Sequence, residues 1–60
     1  MSAVYNPEAD TMAAIERLEL EVRDVKRRIE MTHNEEDRRV LTQQVEDLKT
    51  EIARLQATLP

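Results

Sequence analysis

The sequence predicts an all-α protein folded as an antiparallel two-helix coiled-coil hairpin. Apolar residues recur at alternating steps of three and four in two separate segments, which is the spacing of a coiled-coil stripe. Glycine and cysteine are absent, Tyr5 is the single aromatic residue, and 37% of the chain is charged. Strands need β-branched and aromatic residues between turn formers, so this composition disfavours a sheet.

The first helix is predicted over residues 7–32, after an extended N-terminal tail at residues 1–6. Asn6 is suited to cap a helix, Pro7 to its first position, and Glu8 to the positive end of the helix dipole. The a and d positions of this helix form an uninterrupted apolar stripe, namely Ile15, Leu18, Val22, Val25 and Ile29.

A turn is predicted at residues 33–36 and a second helix at residues 37–59. Residues 32–39 are eight consecutive polar residues that contain two overlapping capping signatures, Thr32 with Glu35 and Asn34 with Asp37. The stripe of the second helix consists of Leu41, Val45, Leu48, Ile52, Leu55 and Leu59.

One continuous helix in a parallel coiled coil is the alternative fold, because the polar stretch contains neither Gly nor Pro. The phase of the two stripes argues against it. Extending the first stripe from Ile29 places its next a position at Glu36, whereas the second stripe requires that position at Arg38. A single three- or four-residue insertion does not supply this offset of two residues.

A hairpin accommodates both stripes, because they only need to face each other. The opposed residue numbers then sum to 70, so the chain reverses at residue 35, inside the polar stretch. The predicted pairs are Ile29 with Leu41, Val25 with Val45, Val22 with Leu48, Leu18 with Ile52, and Ile15 with Leu55.

Sixty residues bury only a small core, and without cysteine no disulfide compensates for it. We therefore expect the hairpin to be oligomeric or docked on a larger partner. Apolar residues outside the stripes include Met31 and Val40. An open-end surface is the predicted site of contact with a protein partner, and its candidate residues are Tyr5, Met12, Ala13 and Leu20.

Catalytic, cofactor-binding and metal-binding residues are not expected. No Ser or Cys nucleophile stands beside a base, and no glycine loop is present to hold phosphate. Glu30 and His33 form one Glu-x-x-His unit of the kind found in di-iron sites, but such a site needs a second unit and two further glutamates. We therefore expect neither an enzyme nor a small-molecule substrate.

The formal net charge of −4 disfavours general nucleic-acid binding. Basic residues cluster at 23–28 and 38–39, and acidic residues four positions earlier are expected to pair with several of them. No apolar run approaches the length of a membrane span, and the N-terminus lacks the pattern of a secretory signal. The expected location is the cytoplasm or a protein assembly.

A non-enzymatic protein–protein interaction module is the function that these patterns favour. Such a module would act as a coiled-coil adaptor or as a structural accessory subunit of a larger assembly. Two alternatives remain open. One is a small RNA- or DNA-associated regulator that uses the basic segment, and the other is a stalk or fibre segment of a particle such as a phage virion.

Overall fold

The computed structural model describes residues 6–60 and consists of two helices, α1 (Pro7–Met31) and α2 (Glu35–Gln56). The helices pack against each other along their length, which confirms the predicted all-α hairpin. The alternative of one continuous helix is wrong, because the backbone becomes extended at Thr32 (φ −96°, ψ 128°). The residues described here, from 6 onward, contain no strand.

Helix α1 begins at Pro7 because Asn6 caps it. Asn6 is extended (φ −120°, ψ 95°), and its Oδ1 accepts hydrogen bonds from the backbone N–H groups of Glu8 at 3.1 Å and Ala9 at 3.2 Å. Pro7 lacks an N–H group, so the first helical position leaves no donor unsatisfied there. The local sequence thus explains the start of α1.

The turn is shorter than predicted and covers residues 32–34 instead of 33–36. Helix α2 consequently begins at Glu35 and not at residue 37. Of the two capping signatures, only that of Asn34 is used: its Oδ1 accepts the N–H of Asp37 at 3.0 Å. Helix α1 ends at Met31, one residue before the predicted limit, and Thr32 instead follows it as the C-cap and donates its hydroxyl to the Arg28 carbonyl at 2.6 Å.

Helix α2 ends at Gln56, three residues before the predicted limit. The N–H of Thr58 binds the Leu55 carbonyl at 3.0 Å and that of Leu59 binds the Gln56 carbonyl at 3.1 Å, so the chain tightens after the helix. Pro60 disfavours helical geometry at Leu59, the residue that precedes it, so the helix does not extend to the predicted limit.

The core is one line of side chains between two helices. Its buried residues are Val25 (2% exposed), Val45 (4%), Ile15 (7%) and Val22 (9%). The other seven stripe residues are partly buried, and four of them, Ile29, Leu41, Leu48 and Ile52, pack around the central valines. No polar or charged side chain is buried within residues 6–60.

One hydrogen bond across the turn supports the register of the hairpin. Arg38 donates from Nη1 to the Thr32 carbonyl at 3.3 Å. Their residue numbers sum to 70, as the predicted apolar pairs do, and the two residues continue the stripes of α1 and α2 by one layer. The seam therefore ends in a polar layer that ties the turn to α2.

Candidate functional site

Large apolar side chains remain exposed outside the seam. Their exposed fractions are 73% for Met31, 63% for Val40, 56% for Leu20 and 53% for Met12. Contiguous apolar surface of this kind commonly marks a site of protein contact. Whether the four residues form such surfaces depends on where the two helices place them.

Met31 and Val40 meet in a groove of about 370 Å³ beside the turn, which we call the closed-end groove. With Ile29 and Val45 at a positions, both residues occupy the c position of their helices. Antiparallel packing puts the c and g positions of both helices on one face, so the two side chains converge there. The groove is lined by Arg28, Met31, Thr32, Asp37, Val40 and Leu41.

The sequence prediction placed the contact surface at the open end and did not include this groove. A signal was present in the register: Met31 and Val40 lie at nearly equal distances from residue 35 along the chain. A hairpin that reverses at that point brings the two residues level with each other.

Met12 lines a second groove, of about 260 Å³, at the open end of the hairpin, which we call the Met12 groove. Ile15 and Leu59 form its apolar part, and Glu16 and Glu19 stand at its side. The structure therefore joins Met12 to the end of the seam. The groove lies on the face opposite the closed-end groove, since Met12 and Glu19 occupy e positions.

The other candidate contact residues are not brought together with Met12. Leu20 is exposed at an f position on the outer side of α1, and Ala13 is exposed one helical position after Met12. Neither residue lines the closed-end groove or the Met12 groove. Tyr5 lies outside the described residues.

A third groove, of about 570 Å³, lies at the open end on the face of the closed-end groove. We call it the Glu51 groove, and Glu21 and Arg17 also line it, so two carboxylates and a guanidinium group share this face. Arg54 donates from Nε to Glu51 at 2.9 Å and also from Nη2. This hydrogen bond lowers the pKa of the Glu51 carboxyl and raises the pKa of Arg54, so both groups stay charged.

Glu51 with Arg54 is the only ion pair within residues 6–60. The acidic partners predicted for the basic residues do not approach them within 4.0 Å; these pairs are Glu19 with Arg23, Asp24 with Arg28, and Glu35 with Arg39. All six residues are exposed. At such positions the entropy lost by ordering two long side chains offsets most of the Coulomb attraction.

The basic residues do not form one continuous stripe. Arg23, Lys26 and Arg27 occupy the b, e and f positions of α1, whereas Arg28 faces the closed-end groove. Arg38 and Arg39 lie past the turn and line a small groove of about 230 Å³. The positive charge is thus spread over several faces of the hairpin.

His33 lies in the turn and is exposed. In the part of the chain that the structure describes, no group of three or more His, Cys, Asp or Glu side chains could hold a metal ion. Over the same residues, neither helix is long and apolar enough to cross a membrane.

Comparison of the chain with protein-family models, with curated proteins and with solved structures finds no match. Its function is therefore inferred from the grooves and charges of the hairpin itself.

Proposed function

We propose that this protein is a non-enzymatic protein–protein interaction module, a coiled-coil adaptor or structural accessory subunit of a larger assembly. The supporting observation is the imbalance between core and surface. Within residues 6–60, four side chains are buried, while four other large apolar side chains are more than half exposed. A chain with so little buried surface gains stability when a partner covers those side chains.

The Met12 groove is the surface that we assign to a protein partner. Ile15 and Leu59 supply apolar contact, and the carboxylates of Glu16 and Glu19 border it. A groove of this kind accepts the apolar face of an amphipathic helix. The two carboxylates favour a partner helix that carries Lys or Arg beside its apolar stripe, because complementary charge aids orientation and association.

A nucleic-acid-associated regulator is the second candidate. The absence of ion pairs at Arg23, Lys26 and Arg27, all within the described residues, leaves these cations available to phosphate. The net charge of −4 and the spread of the cations over several faces weigh against it. The stalk alternative relied on one continuous helix, and the hairpin fold removes that support.

Recovery of the partner tests the proposal. The full chain, tagged at its C-terminus, is used to isolate bound proteins after nuclease treatment, and binding of the purified partner is then measured by calorimetry. We expect Met12→Gln to weaken binding at least about tenfold, since it removes an apolar side chain that the partner would bury.

Arg27→Gln is the matched control, because it introduces the same side chain on α1 away from the groove. This variant should bind the protein partner like wild type. The proposal fails if nuclease removes the bound material, or if Arg27→Gln abolishes binding and Met12→Gln does not. Binding that weakens steeply with salt would then favour the nucleic-acid regulator.

A further inference from the structure

We infer that the closed-end groove is a self-association surface, occupied by the same groove of a second copy across a twofold axis. This inference rests on the proposed function, because it names a second copy as one partner of the interaction module. The Met12 groove, at the far end and on the other face, stays free for a different protein in this arrangement.

The centre of the groove supplies the apolar contact. Among residues 6–60, Met31 and Val40 are the most exposed of the large apolar side chains outside the seam, at 73% and 63%. Leu41 lies partly buried beside them. Methionine is flexible and polarisable, so it packs readily against a copy of itself.

The charges at the rim are self-complementary. Arg28 and Asp37 both line the groove, one positive and one negative. Within residues 6–60 the charged groups of these two side chains take part in no ion pair. In an interface with twofold symmetry the same patch of both copies meets, so a cation in one copy must face an anion of that patch in the other copy.

The register of the hairpin places these charges symmetrically about the apolar centre. With opposed residue numbers summing to 70, Val40 is level with position 30 of α1 and Asp37 with position 33. Along the hairpin axis, the midpoint of Met31 and Val40 then lies halfway between Arg28 and Asp37, with an axial distance of about 4 Å to each. A twofold axis through that centre, perpendicular to the helices, brings each Arg28 level with Asp37 of the second copy.

The size of the groove limits the contact between two copies. Six residues line it, and this small number predicts a weak, reversible dimer. The twofold axis perpendicular to the helices makes the two open ends point apart.

Charge reversal followed by mixing tests this geometry. In the Arg28→Glu variant, two carboxylates oppose each other at both ends of the interface. In the Asp37→Lys variant, two cations do so. Each variant alone should dimerise at least about tenfold more weakly than wild type, because like charges face each other.

An equimolar mixture of the two variants should recover dimers. In the mixed dimer opposite charges again face each other at both ends of the interface. One end pairs the two introduced side chains, a carboxylate with an ammonium group, and the other end pairs the unchanged Arg28 with the unchanged Asp37. Sedimentation equilibrium up to about 1 mM chain measures the dimer dissociation constants of wild type, of each variant and of the mixture. Circular dichroism verifies that each variant keeps its helices, since Asp37 lies in the first turn of α2.

Met31→Ser provides a second route that leaves the charges unchanged and should also weaken the dimer about tenfold. Leu20→Ser, at an exposed residue outside the groove, is its control and should dimerise like wild type. A wild-type chain that stays monomeric, a mixture that does not recover dimers, or dimers unaffected by Met31→Ser would each overturn the inference. None of these results bears on partner binding at the Met12 groove.

Discussion

At the scale of single residues, position on the helix surface decides what each apolar side chain contributes. Val40 and Val45 lie on the same helix and differ by five positions, yet Val40 is 63% exposed and Val45 is 4% exposed. Val45 belongs to the core cluster with Val22 and Val25, whereas Val40 borders an open groove. The same residue type therefore serves the core at one position and the surface at the other.

Replacing each valine by alanine measures this difference. Val45→Ala should lower the free energy of unfolding by about 1–3 kcal/mol, because it removes buried methyl groups and leaves a cavity. Val40→Ala is the matched control and should have little effect in dilute solution. Alanine favours helix equally at both sites, so urea denaturation compares the packing alone. Equal losses in both variants would contradict the core described here.

At the scale of the elements, the starts of both helices are set by side-chain caps. Asn6 and Asn34 precede the two helices, and both accept backbone N–H groups with their amide oxygens. Thr32 offers a competing cap signature with Glu35 but uses its hydroxyl on α1. Because the Thr32 hydroxyl binds the end of α1, Asn34 and not Thr32 caps the start of α2.

Loss of the cap at Asn34 should weaken the hairpin. Asn34→Ala leaves the Asp37 N–H without its side-chain acceptor, and we expect a cost of about 1 kcal/mol in the free energy of unfolding. Asn34→Ser retains an acceptor and should stay close to wild type. Thermal melts followed by circular dichroism measure both variants. An alanine variant as stable as wild type would show that the start of α2 does not depend on this side chain.

At the scale of the whole molecule, two helices form a single layer with a seam and two grooved faces. Side chains at the c positions on one face and at the e positions on the other face stay open to partners, since no third element covers them within residues 6–60. The two ends differ in charge: Glu16 and Glu19 border the Met12 groove, whereas Arg28 and Asp37 balance each other at the closed end. Under the two proposals above, the hairpin would contact a protein partner at the Met12 groove and a second copy at the closed-end groove.

The topology also predicts tolerance to a longer turn. Inserting Gly-Ser between His33 and Asn34 keeps the Asn34 cap and should cost no more than about 0.6 kcal/mol, because loop entropy grows slowly with length. Helicity and cooperativity of urea unfolding are the measurements. Loss of most of the helical signal would mean that the helices depend on the tight turn more than on the seam.

Much of the fold was predictable because its signals are local. The apolar repeats from Ile15 to Ile29 and from Leu41 to Leu59 define the helices and the face that each one buries. Asn6 and Pro7 define the start of α1. The end of α2 was predicted too late, because the apolar repeat extends to Leu59 although the helix gives way to tighter turns after Gln56.

The sequence by itself determined that the chain forms two helices with one apolar stripe each, and that a polar stretch separates them. Only the tertiary structure decided that Asn34 and not Thr32 caps α2, that the three predicted surface ion pairs do not form, and that Met31 and Val40 share a groove. The physical reason is range. A stripe or a cap depends on residues within a few positions, whereas a groove between two helices depends on their register and on the face that each presents.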